Sequence, residues 1–167
     1  MSHAPTTAHA RRGPLGPVAA ERVSAGCYGS LVAASTLIGL GEAEIGWLIA
    51  VVILTNAIYY ATHVFAYTVG DSSGDSPLKV ARHHLRVSAP MISATFGPLI
   101  VVLLLLLMGV GQEVAVSIGA GAGLATLAAV ATTGAVLRGA RMWEGVAVAA
   151  VTVALGTALI IFKFELH

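Results

Sequence analysis

The sequence predicts an all-α membrane protein, a bundle of five transmembrane helices with a short basic interfacial helix after the second. Three observations predict it. The chain is 57% hydrophobic and only 10% charged, with a mean hydropathy of +0.88, far from the balance of water-soluble domains. Its Asp, Glu, Lys and Arg residues are gathered between apolar runs of 18 to 26 residues, each near the ~20 that cross a hydrocarbon layer. Its basic residues also fall almost wholly on alternate connections, as in a chain threaded back and forth through a bilayer.

Residues 1–22 read as a disordered cytoplasmic tail, because Pro5, Pro14, Pro17 and many small polar residues cannot bury enough apolar surface to pack. The pair Arg11-Arg12 is followed by Gly13, Pro14 and Gly16, and the first long apolar run opens only at Val23, so a cleaved signal sequence is not expected. Residues 23–167 form the membrane domain, with spans near 23–41, 46–69, 90–110, 114–137 and 145–163.

The first span lies between Arg22 and Glu42, and the turn Gly41–Glu44 is too short for anything but adjacent antiparallel helices. The second, Ile45–Gly70, has 26 residues without acid or base and carries Asn56, Tyr59, Tyr60, His63 and Tyr67. At 100° per residue these five fall within about 100° of one another and make one polar stripe. Polar groups are costly against lipid, so the stripe should face protein or a wet cavity. Trp47 suits one membrane interface and Tyr67 the other.

Gly70–Ser76 is a turn-rich linker, and Ser76-Pro77 signals an N-cap with proline at the first helical position. Over residues 77–87, Leu78, Ala81 and Leu85 line one side while Lys79, Arg82, His83 and Arg86 take the others, the pattern of a basic helix on a membrane surface. Pro90 should break any continuation. The third span follows, and carbonyls freed at Pro98 call for Thr95 or a neighbouring helix. The fourth is rich in Gly and Ala, with Gly119 and Gly123 as a GxxxG pair that lets helices approach closely. It reads both as a buried packing helix and as the surface by which another membrane protein would be bound. The fifth runs from Gly145 to Phe162 and ends at Lys163.

Eight basic residues (Arg11, Arg12, Arg22, Lys79, Arg82, Arg86, Arg138, Arg141) share one side and Lys163 alone takes the other. This orients the N-terminus inside and the C-terminus outside. The near balance of 9 basic and 8 acidic residues gives no field for nucleic acid, and the single Cys27 permits neither an intramolecular disulfide nor a Cys-based metal motif.

His63 is the only histidine inside a span, and imidazole is the side chain that titrates near neutrality, so it is the candidate proton carrier or ligand. Its structural alternative is a hydrogen bond that specifies helix packing together with Asn56. His83 and His84 lie several turns away and diverge by about 100°, which argues against joint chelation. No metal or cofactor is expected, and no catalytic constellation is identified, since no span carries an acid or Lys to orient a base. An accessory protein packed against another membrane protein is therefore the preferred function. A homo-oligomeric permeation pathway lined by the stripe is the alternative, and a membrane enzyme using His63 comes third.

Tyr28-Gly29 in the first span, His63-Val64-Phe65-Ala66, the Pro90 and Pro98 frame, and the ending Ile160-Ile161-Phe162-Lys163 with His167 carry a resemblance. The chain resembles a group of small bacterial integral membrane proteins of actinobacterial type that share a His-x-[Phe/Tyr]-Ala motif late in the second span and carry no assigned activity. In that group an aromatic residue precedes the first proline and acids occur around and just after it; here Ala89, Ser88 and Ser93 stand instead. The resemblance implies a multi-spanning protein of the bacterial cytoplasmic membrane and no particular substrate.

Overall fold

The computed structural model describes residues 15–165, and of residues 142, 153, 155–157 and 159–165 the backbone alone. The leader with Arg11-Arg12 and the terminal His167 lie outside the described residues. Six helices follow one another: α1 (Pro17–Gly39), α2 (Ile45–Gly70), α3 (Pro77–Val87), α4 (Ala89–Leu107), α5 (Gln112–Leu137) and α6 (Met142–Glu165), five long and one short. Among the described residues three stretches are long and apolar enough to cross a membrane, namely Ile45–Gly70, Pro77–Leu107 and Gln112–Leu137, and α6 is apolar over Trp143–Thr152.

The first helix begins six residues earlier than the charges suggested, at Pro17 rather than Val23. Proline suits that position because its missing N–H is not needed in a first turn, and the Ala20 N–H closes the turn on the Gly16 carbonyl at 3.1 Å. Glu21 and Arg22 rule a residue out of hydrocarbon, not out of a helix, so residues 17–22, expected in the tail, belong to α1. Elsewhere the stops are local. Glu44 caps α2 by accepting from the N–H groups of Gly46 and Trp47 at 2.9 and 3.1 Å. Gly109 and Gly139 adopt left-handed φ of 81° and 80°. At each, the next residue's N–H reaches the carbonyl five residues back, Val110 to Leu105 at 3.0 Å and Ala140 to Ala135 at 3.1 Å, which ends α4 and α5. Pro90 separates α3 from α4 at Ser88 as expected, whereas the Ser76 side chain makes no capping bond.

The turns 40–44 and 108–111 share one end of the bundle, tied by the Gln112 side chain, which donates to the Ala43 carbonyl at 2.6 Å. Just inside that end lies the apolar core: Ala33 and Leu37 of α1, Leu48 and Val52 of α2, Leu99 and Val102 of α4, and Ala115, Val116 and Ala120 of α5. The basic residues of α3 and of the α5–α6 turn gather at the other end, where His84 meets Glu21 and Gly134 faces Val23.

Three glycines of α5 are consumed inside the chain. Gly119 lies against the Val102 side chain and the Pro98 carbonyl, Gly123 against Ala34 and Pro98, and Gly134 against Val23. Through these glycines α5 approaches α1 and α4 closely, and the bulk of Pro98 is seated in the hollow that Gly123 leaves. The tightest approach involves a glycine outside the GxxxG pair, Gly29 of α1, whose backbone abuts the carbonyl of Met91. Thr95 does not relieve Pro98 by the hydrogen bond expected of it; its hydroxyl is buried without a partner.

Candidate functional site

The five stripe residues of α2 have different surroundings. Asn56 is fully buried, its Nδ2 donating to the Val52 carbonyl at 3.2 Å while Oδ1 has no partner. Tyr59 is 43% exposed and meets Tyr28 of α1 edge-on, ring centroids 5.7 Å apart. Tyr60 donates its hydroxyl to the Leu85 carbonyl at 2.7 Å. That carbonyl sits in the last turn of α3, where helical acceptors have no backbone donor, so the tyrosine closes the end of the neighbouring helix. His63 is half-buried, with Nε2 shielded from solvent and unpartnered.

From His63 the stripe continues into groups that belong to other helices. The His63 ring lies 4.6 Å from that of Tyr67, and Tyr67 lies 5.1 Å from His84 of α3. His84 is buried, and its Nδ1 stands 3.0 Å from Oε1 of Glu21 in α1. His63, Tyr67, His84 and Glu21 thus form a line from the middle of α2 to the basic end of the bundle. An open cavity of about 630 Å³ adjoins it, lined by Ala66, Tyr67, Gly70, Asp71, Ser73 and His84 among others. In its rim the hydroxyl and N–H of Ser73 hold the Asp71 carboxyl below its usual range, with smaller help from His84 and His83.

Two of these groups were misplaced from sequence. The inward face of α3 is Val80, His84 and Val87, while Leu78 and Leu85, read from sequence as the side turned to the membrane surface, are exposed. The spacing i, i+4, i+7 was legible as a stripe, but a histidine in it reads as polar. Glu21 was assigned to the tail, so no acid seemed available to orient an imidazole; the early start of α1 supplies one. Lys79, Arg82 and Arg86 are exposed, and Lys79 pairs with Asp75 at 2.8 Å. His83 is exposed and His84 buried, and their rings meet edge-on with centroids 5.3 Å apart. Among the described residues, no three His, Cys, Asp or Glu side chains converge to hold a metal ion.

Chemically, the line offers an imidazole whose tautomer is set by a carboxylate, a phenol beside it, and a second imidazole deeper in. It stops there. Beyond Asn56, Leu48 and Val52 are packed against Leu37, Leu99 and Val102, so the polar groups do not continue to the opposite end. Comparison with protein-family models, with curated proteins and with solved structures gives no match.

Proposed function

We propose that this chain is an integral protein of the bacterial cytoplasmic membrane, N-terminus inside and C-terminus outside, which serves as an accessory protein to another membrane protein. The membrane assignment rests on the belt of apolar side chains turned outward. Leu54, Ile58, Phe65, Leu104, Leu107 and Val146 are each more than half exposed, a surface that suits acyl chains and would aggregate in water. Trp47 and Trp143, both 63% exposed, stand at the first turns of α2 and α6, at opposite ends of the bundle, where indoles favour headgroups. Reporter fusions at Gly111 and at the C-terminus should read outside, and at Gly74 and Gly139 inside. An inside signal at the C-terminus contradicts the topology.

The accessory role is carried by the Tyr28–Tyr59 pair. Both residues sit midway along their helices, both are 43% exposed, and neither hydroxyl bonds to any described residue. Tyrosine rings favour the interfacial layer of a bilayer, and an exposed pair whose hydroxyls are uncommitted can take a polar group from a neighbouring helix. The partner-facing side is therefore α1 and α2, not α5. The permeation alternative would need the stripe to run on past Asn56, where the apolar core stands instead.

A photo-crosslinking residue at Tyr59, compared with one at the exposed Leu104 of α4, tests this in intact membranes. An adduct of one defined mass from Tyr59, lost when Tyr28→Phe is combined with it, supports the proposal. Indistinguishable adducts from both positions overturn it. An adduct at twice the chain mass would identify a homo-oligomer, in favour of the alternative.

A further inference from the structure

A second concavity, away from the histidine line, opens between α1, α4 and α5. It holds about 310 Å³, at the lower end of the range for small-molecule and lipid-chain sites. Its lining is graded along the helix axis. Arg22 stands at the mouth, Gly26 and Val130 make the narrow middle, and Ser30, Ser93 and Thr126 supply hydroxyls beyond. Among the described residues Arg22 is the only charged one of the lining.

The hydroxyls are not equivalent. Ser93 donates to the Pro90 carbonyl at 3.1 Å and Thr126 to the Ala122 carbonyl at 2.8 Å. Ser30 lines the same cavity, is fully buried, and its Oγ has no partner. An unpaired buried hydroxyl costs about 1–3 kcal/mol, and an occupant with an acceptor oxygen removes that cost.

Depth identifies the occupant. Gly26 faces Pro90 in the first turn of α4, so it marks the level at which the chain turns from the interfacial α3 into a membrane-crossing direction. Arg22 lies one turn, ~6 Å, to the headgroup side of that level, and Ser30 ~6 Å to the hydrocarbon side. The interfacial layer of a bilayer is itself ~5–8 Å thick on each side. A cation below, an unpaired donor above and small apolar residues between match a phosphate, an ester carbonyl and the start of an acyl chain.

We propose that the α1/α4/α5 groove is a specific site for one anionic glycerophospholipid of the inner leaflet, its phosphate on Arg22 and an ester carbonyl accepting from Ser30. Among the described residues no carboxylate lines the groove to pair with a choline or ethanolamine cation, so the Arg22 charge favours a headgroup with net negative charge.

The test uses the full chain, delipidated in mild detergent and titrated with phosphatidylglycerol or with phosphatidylcholine of the same acyl chains, read by native mass spectrometry. One phosphatidylglycerol per chain should bind at least tenfold tighter than phosphatidylcholine. Arg22→Gln should abolish the preference, and Ala94→Leu, which fills the groove, should lose both lipids. Arg82→Gln, on the exposed face of α3, should change neither. Should Ala94→Leu fail to fold, Ser30→Ala, which keeps the groove open, should still weaken phosphatidylglycerol several-fold. Equal binding of the two lipids by the parent chain overturns the proposal, as does retention of the preference in Arg22→Gln. Displacement of the lipid by acyl-free glycerol phosphate would show that the site reads a phosphate alone, and would overturn the lipid assignment.

Discussion

The two halves of this bundle are held together in different ways. Along α1, α4 and α5 the contacts run backbone to side chain and backbone to backbone, through Gly29, Gly119, Gly123 and Gly134. Along α2 and α3 they run between polar side chains: Tyr60 to a carbonyl, Tyr67 to two imidazoles, His84 to Glu21. In lipid, burying apolar surface gives helices little reason to associate, so dispersion at close approach and interhelical hydrogen bonds must do it. The first half uses one of these and the second half the other. Close packing admits only one arrangement of its backbones, whereas a ring or hydroxyl contact can be given up at small cost. The rigid half suits a scaffold, and the polar half suits the part that meets ligands and partners.

The comparison breaks first at Gly29. A Cβ there would overlap the Met91 carbonyl, which belongs to the backbone of the first turn of α4 and has no rotamer by which to withdraw. Gly29→Ala should cost ~3 kcal/mol or abolish folding, seen as a fall of melting temperature in detergent. Gly121→Ala, whose Cβ meets open space, should be silent. Gly123→Leu should likewise be far worse than Leu104→Ala, since Leu104 is 54% exposed. Equal stability for Gly29→Ala and Gly121→Ala would mean that α1 and α4 are not packed backbone to backbone.

Next comes the Glu21–His84 pair, which joins α1 to α3. Glu21→Gln leaves a buried imidazole with a weaker partner, and His84→Leu leaves a carboxylate with none; each should cost on the order of 1–2 kcal/mol, because Glu21 keeps 20% of its side chain exposed. Amide exchange should then speed up across Pro77–Val87 while α5 is unchanged. Uniform acceleration in both helices would show that the two halves do not behave separately.

Much of the rigid half was legible in the sequence, because charges end apolar runs and because Gly and Ala content marks close packing. Where the glycines pointed was not: a lone Gly29 in an apolar run has no signature until the residue opposite is known. The polar half was legible in outline only. The stripe could be drawn on α2 from its 100° spacing, and Pro90 gave the α3–α4 break. Yet the partner of the stripe is His84, on a helix whose inward face carries a histidine between Val80 and Val87, where hydrophobicity alone would not place one. The contact with Glu21 explains the inward histidine, and Glu21 was hidden by the rule that charges end a membrane span.

His63 gives a smaller effect that separates packing from proton handling. Its Nε2 is buried without a partner, so His63→Leu removes little hydrogen bonding at that atom. The ring contact with Tyr67 is what is lost, and the cost should be no more than ~1 kcal/mol. His63→Gln keeps a donor and an acceptor at similar reach, so under a packing role it should match the parent in thermal stability and in any cellular phenotype of a deletion. A Gln variant that is stable but inactive would assign His63 a proton-handling role and make the histidine line the working part of the molecule.

The smallest effect lies at the rim of the cavity and is a dependence on pH. Ser73 donates its N–H to the Asp71 carboxylate at 2.7 Å, and the Ser73 hydrogen bonds hold the folded-state pKa of Asp71 below its ordinary value of 3.8. A depressed carboxyl pKa means that the contribution to loop stability is fully present above pH 3.8 and is lost as pH falls through the lower, folded-state value. Hydrogen exchange at the Ser73 amide should therefore show protection at neutral pH that fades only below pH 3.8, once the intrinsic pH dependence of exchange is removed. Asp71→Asn keeps an acceptor oxygen but removes the titration, so its residual protection should be weaker and flat across the same range. The amides of α5 should show no such step in either protein. A step in α5 that coincides with the one at Ser73 would mean that acid unfolds the bundle as a whole, and that the two halves share one stability.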